Sequence, residues 1–105
     1  NKQEDFVQAV TYYQKALKIS PKDNTVRENL AKAYVSAKQY DNAKTTYEDV
    51  VATDSKNWEA YLELSKVCIA LGDNESAKTY LTYLQKNNPS YKMAEVSKLL
   101  ASIKN

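Results

Sequence analysis

Residues 58–89 read WEAYLELSKVCIALGDNESAKTYLTYLQKNNP, two apolar stripes parted by a single glycine. In the first, Tyr61, Leu64, Val67, Cys68 and Leu71 recur at intervals of three and four, which places them on one face of a helix. In the second, Ala77, Tyr80, Leu81 and Leu84 do the same. Gly72 follows Leu71 where a helix ends on a left-handed residue, and Asp73 is placed to cap the next N-terminus. Pro89 then closes the stretch, because proline lacks the amide that would carry a helix onward. The segment predicts a helix–turn–helix.

The rest of the chain repeats it. Shifted by 34 residues, Ala9, Ala43 and Ala77 coincide, as do Tyr13, Tyr47 and Leu81, then Ala16, Val50 and Leu84. Pro21, Ser55 and Pro89 follow in register. In the other half of the unit, Leu30 meets Leu64, Ala31 meets Ser65, and Tyr34 meets Cys68. Alanines at fixed intervals let two helices approach closely, while Tyr and Leu fill the space between small residues of the next helix. One such pair cannot bury its apolar face alone, so successive pairs must stack. Tyr13, Tyr34, Tyr40, Tyr47 and Tyr61 fall at these packing positions, and repeat core is the expected use of the tyrosines.

Six helices are predicted, over 2–19, 24–38, 41–53, 58–71, 74–86 and 91–103. Asp41 and Asp73 are expected to cap helix N-termini, and Asn57 to cap the helix opening at Trp58. Neither Gly nor Pro occurs between 24 and 53, so two readings stand for Ser36–Tyr40. One is a turn with Lys38 or Gln39 in its tight position. The other is a continuous helix that would exchange partners between two chains.

Composition bounds the function. The 105 residues contain one Gly and two Pro, which leaves room for uninterrupted helices. Fifteen basic and 13 acidic residues give a formal net charge of +2 and are interspersed. They form no basic stripe of the kind that tracks a phosphate backbone, so no nucleic-acid partner is expected. Apolar runs such as Val67–Leu71 fall far short of the ~20 residues that span a bilayer, and no membrane insertion is expected of this soluble, helical composition. One cysteine forbids an internal disulfide and leaves the compartment open, with the cytoplasm favoured.

The chain resembles the tetratricopeptide repeat family. Tyr61, Leu64, Ser65, Cys68, Gly72, Ala77, Leu81 and Pro89 look like one unit; Leu30, Ala31, Tyr34, Tyr40, Ala43, Tyr47 and Val50 look like the one before. Phe6, Ala9, Tyr13, Ala16, Leu17 and Pro21 resemble the second helix of a still earlier unit. Arg27 and Cys68 depart from the aromatics of the pattern, Val50 and Leu84 from its small residues, and Ser55 from its proline. The resemblance implies an all-α fold, a right-handed superhelix (α-solenoid) of stacked antiparallel helix pairs with a C-terminal cap helix. Residues 1–105 are then a single repeat domain: 2–23 the second helix of a truncated repeat, 24–57 and 58–91 full repeats, and 92–105 the capping helix.

It also implies a binding surface, since the first helix of each pair lines the concave face in this family. That face would carry Thr25, Glu28, Asn29, Lys32, Val35 and Ser36 from one unit, and Glu59, Leu62, Glu63, Lys66, Ile69 and Ala70 from the next. The mixture suits an extended peptide or a partner helix. Members that hold the acidic tails of chaperones clamp a terminal carboxylate with Lys, Asn and Arg. Asn29 matches that pattern, but Glu59 and Glu63 stand where the next unit would supply its bases, so a carboxylate would meet negative charge.

The two ends differ. Phe6, Ala9, Val10, Tyr13, Ala16 and Leu17 would ordinarily pack against a helix preceding residue 1, and form a candidate self-association face at ~25 cal/mol per Å² buried. A chain opening on Asn1 inside a repeat unit is expected to be a segment of a longer array. At the other end, Met93, Val96, Leu99, Leu100 and Ile103 are expected on one face, with Ser97, Lys98, Ser102 and Lys104 turned elsewhere, as a natural cap would have them.

No chemistry stands out. There is no histidine, which removes the commonest general base and metal ligand. Cys68 lacks a basic neighbour to activate it and reads as a small buried hydrophobe. Glu59 and Glu63 lie one turn apart, as exposed acids on a solvated face usually do. No phosphate loop, metal spacing or nucleophile motif is present, so no catalytic residue, cofactor or metal is expected. The favoured function is a non-enzymatic scaffold or adaptor that binds a protein or peptide. The alternatives are a self-assembling module, a homodimer through residues 3–18 or a swap, and an accessory domain of a larger enzyme.

Overall fold

A computed structural model describes residues 2–103. Its six helices are α1 (Lys2–Ile19), α2 (Asn24–Ser36), α3 (Tyr40–Thr53), α4 (Trp58–Ala70), α5 (Asn74–Asn87) and α6 (Met93–Ser102). No strand occurs among the described residues. Each helix packs on the next in the chain, and the molecule measures 37 × 28 × 19 Å, the slab expected when helix pairs are added side by side.

The 34-residue register is also a register of burial. Ala43 and Ala77 are sealed from solvent, as are Ala31 and Ser65, Tyr47 and Leu81, Val50 and Leu84. Ser65 sits where close helix approach requires a small side chain, and its hydroxyl donates to the carbonyl of Tyr61 at 2.8 Å, so no polar atom is left bare. Cys68 is fully buried in the same core. Tyr61 belongs there too, in an aromatic cluster with Trp58, Tyr80 and Tyr83, its ring 4.7 Å from that of Tyr83.

Polar contacts staple the helices within and between units as well. Asn24 Nδ2 donates to the carbonyl of Val50 at 3.2 Å. Asn57 Nδ2 reaches Glu28 Oε1 at 3.0 Å, and the Tyr80 hydroxyl donates to Glu48 at 3.2 Å. Lys44 of α3 pairs with Asp73, ahead of α5, at 2.8 Å.

Helix starts follow the side chains available. Asp23, Asn57 and Asp73 each accept from a backbone amide three residues on, those of Val26, Ala60 and Ser76. Asp41 does not cap. α3 begins one residue earlier, behind Gln39, which makes no side-chain cap, and Asp41 falls in the first turn, where its charge still complements the helix dipole. The cause is the preceding turn. Lys38 takes a left-handed conformation (φ 61°), and α2 and α3 are separate helices joined there within one chain.

At the far end, α6 starts at Met93 rather than residue 91, because Tyr91 is drawn into a turn by Asn88 and Lys92 is left-handed (φ 41°). Val96 is buried, and Leu99, Leu100 and Ile103 pack against the core. Met93 does not join them: it stands 60% exposed at the first residue of α6, a turn short of where that helix engages the core. Ser97, Lys98 and Ser102 face outward, and Lys104 lies outside the described residues.

α1 packs on α2, with Val10 buried and Ala9, Tyr13 and Leu17 against the core, while Phe6 and Ala16 are part-exposed. The large apolar side chains that α1 leaves in water are others: Val7, Tyr12 and Ile19, at 46%, 68% and 84% exposure.

Candidate functional site

α2 and α4 are the first helices of successive pairs, and stacking sets them on one side of the molecule. Lys32 of α2 bridges to Glu59 of α4 at 3.0 Å, with Glu28 one turn away at 3.7 Å. Lys66 of α4 repeats the arrangement: Glu63 lies at 3.5 Å, and Glu95 of α6 at 2.7 Å. A ladder of shared ion pairs therefore runs across α2, α4 and α6. The carboxylates hold both lysines above the usual ammonium range, chiefly Glu59 for Lys32 and Glu95 for Lys66. Lys66 in turn holds Glu95 below the usual carboxylate range.

Eleven of the twelve expected groove residues retain solvent access. Thr25, Lys32, Ser36, Glu59 and Ala70 are exposed, and Glu28, Asn29, Val35, Glu63, Lys66 and Ile69 are half-buried. Leu62 is the exception, with no exposed surface, and it does not line the groove. It lies one helical turn before Lys66, and its side chain belongs to the core instead. The ion pair with Lys66 adds Glu95 to the site, and Tyr91 lies within the field of Glu59 and Glu63. A helical-wheel reading of α4 alone carries no signal for either.

Between the end of α2, the start of α3 and the middle of α4 the groove opens into a cavity of about 230 Å³. Val35, Tyr40, Val67 and Ala70 give it apolar walls, with Glu63 and Lys66 at its sides. At several times the ~30 Å³ share of one water, it has room for one amino-acid side chain. Across Tyr40 lies a second, more open cavity of about 310 Å³, bordered by Lys38, Gln39, Asp41, Asn42 and Leu71.

The buried thiol and phenols of the core are held in their protonated forms. Burial pushes the Cys68 thiol up to about 11, against the opposing charge of Lys44. Burial likewise raises Tyr61 and Tyr80 to about 12 and Tyr47 further. Among the described residues no group of three or more acidic, Cys or His side chains is placed to hold a metal ion, and no helix is long and apolar enough to cross a membrane.

Comparison with known proteins bears on the fold. A family model described as tetratricopeptide repeat matches residues 1–54 and again 34–103. Human tetratricopeptide repeat protein 21B is 29% identical over 82 residues, covering 78% of this chain; the chain spans only 6% of that protein's length. Among solved structures, the first such domain of Spaghetti (RPAP3), bound to the HSP90 peptide SRMEEVD, superposes with a TM-score of 0.83 at 24% identity. The match covers 97% of this chain and 79% of that one. The Yersinia enterocolitica type III secretion chaperone SycD, in complex with a peptide of the translocator YopD, gives 0.84 at 21% identity, covering 95% and 80% of the two chains. Likeness at these identities speaks for the architecture, an all-α solenoid of stacked helix pairs.

Proposed function

We propose that this chain, which belongs to the tetratricopeptide repeat family, is a non-catalytic adaptor that binds a peptide or helix of a partner protein along the groove of α2 and α4. The observation that carries the reading is the meeting of an apolar-walled cavity with charged side chains on one continuous face. A groove of that make-up holds a polypeptide by its backbone and one or two anchors, in the manner of other helix and peptide grooves. The two peptide-bound relatives of the same architecture lend the reading support. The acidic SRMEEVD peptide of the first is a poor match here, because Glu59 and Glu63 stand along this groove.

Site-specific photo-crosslinking tests it. A photoreactive amino acid at Ile69 or Ser36, in the groove, is expected to capture a discrete partner in the native cell. The same group at Thr79, an exposed residue of α5, is expected not to. Equal capture from both positions would count against the groove.

A second reading is favoured by one observation: Val7 on one flank of α1, and Tyr12 and Ile19 on the other, leave apolar side chains in water beside the part-exposed Phe6 and Ala16. We read this face as a site of self-association. Sedimentation over a wide concentration range tests it: a mass that rises with concentration and falls back in Tyr12→Glu supports it, and a constant monomer mass rejects it.

A further inference from the structure

The charges that line the groove narrow the choice of occupant. Glu28, Glu59, Glu63 and Glu95 present four carboxylates there, and Lys32 and Lys66 two ammonium groups. Each lysine is already divided between two acids. Lys92 sits at the rim, 5.8 Å above the ring of Tyr91, and counting it still leaves acid in excess. The chain as a whole carries a formal charge of +2, so the excess belongs to this face and not to the composition.

An anionic ligand would have to draw a lysine out of two ion pairs and then lie among the carboxylates left behind. A cationic ligand can instead add to the ion pairs, because the carboxylates of Glu59 and Glu63, one helical turn apart on α4, can each accept from a second cation. The apolar cavity opens directly beside Glu63. Resting on the groove reading above, we infer that the occupant is a cationic polypeptide segment that seats one apolar side chain between Val35, Tyr40, Val67 and Ala70 and sets Lys or Arg beside it, against Glu59 and Glu63.

The test is a selection of phage-displayed random dodecapeptides on residues 1–105, followed by fluorescence anisotropy on the synthesised winners. Three proteins are compared: the parent chain, Glu59→Gln/Glu63→Gln, and Ala70→Trp, which fills the cavity mouth. All three are first checked for an unchanged helical circular dichroism spectrum and a cooperative melt. The expected result is a set of basic peptides with one apolar anchor. Their binding should weaken by about tenfold or more in the double variant and on raising salt, and should be lost in Ala70→Trp. Peptides that are lost in Ala70→Trp but are acidic or uncharged, or that ignore the double variant, would overturn this inference and leave the groove standing. Peptides that bind Ala70→Trp unchanged, or no enrichment at all, would overturn the groove and this inference with it.

Discussion

Lys38 and Gly72 occupy the same point of successive units and adopt the same left-handed backbone, φ 61° and 79°. Both close a first helix by the same pair of bonds. Lys38 N donates to the carbonyl of Val35 at 2.9 Å and Gln39 N to that of Tyr34 at 2.8 Å; Gly72 N reaches Ile69 at 3.0 Å and Asp73 N reaches Cys68 at 2.8 Å. This double closure is the Schellman motif, and glycine meets its left-handed position without a Cβ penalty.

Lysine at that position bears strain that glycine does not, about 1–2 kcal/mol in the left-handed region, part of which a glycine returns as unfolded-state entropy. Lys38→Gly is therefore expected to stabilise the fold by about 0.5–1 kcal/mol. Gly72→Ala should destabilise it by about 1 kcal/mol, from backbone strain alone, since an added Cβ would meet nothing within 4 Å. Urea titrations of the two variants check both signs. A loss of stability in Lys38→Gly would mean that the lysine side chain contributes more than its strain costs.

The same comparison shows what the sequence makes legible. The helices and their pairing are readable because small and large apolar residues recur at a helical period inside a 34-residue one, and every burial match follows from that. The turn at Lys38 is disguised because its side chain is not that of a turn residue; only the offset from Gly72 gives it away. Leu62 is misjudged, and Glu95 missed, for another reason. A helical wheel gives neither the full width of the buried stripe, which takes in Leu62, nor the residue of a later helix that reaches it, as Glu95 of α6 reaches Lys66. Met93 is misjudged similarly, since an apolar residue at a helix start needs a neighbour within reach as well as the correct phase.

Asp73 links the stack to pH. It pairs with Lys44 and accepts from Ser76, and these bonds, the lysine first, hold its carboxyl down to about 2 from an ordinary value of 3.8. A folded-state value below the unfolded one contributes stability that is full above pH ~4 and is lost as pH falls toward 2. Asp73→Asn keeps an oxygen for the helix cap and loses the ion pair. Its melting temperature is expected to lie below the parent's at pH 6 and to converge on it near pH 2. Parallel melting curves across that range would show that the pair contributes nothing.

Cys68 gives a probe of opening. Its sulfur is sealed in the core and its thiol is held near 11, so both access and thiolate fraction oppose reaction. At pH 8 the native chain is expected to react with a disulfide reagent only through transient unfolding, more slowly than the urea-unfolded chain by a factor of 10² or more. Lys38→Gly should slow it further if that variant is more stable. Native and unfolded rates within a few-fold of each other would place the thiol in reach of solvent.

What holds α6 on the rest of the stack is decided by magnitude. The ion pair of Lys66 with Glu95 is short at 2.7 Å, but both side chains are about 40% exposed, and pairs in such surroundings contribute about 0.2–1 kcal/mol and weaken with salt. Val96 is buried, and cutting it to alanine removes two methylene-sized groups from a packed site, about 1–2 kcal/mol by transfer and more if a cavity persists. Apolar packing should therefore outweigh the salt bridge. Amide exchange in α6, followed by NMR, is expected to quicken several-fold more in Val96→Ala than in Glu95→Gln, and the Glu95→Gln effect should shrink at high salt. The reverse order would make the ladder of charges, rather than the core, the latch of the C-terminal helix.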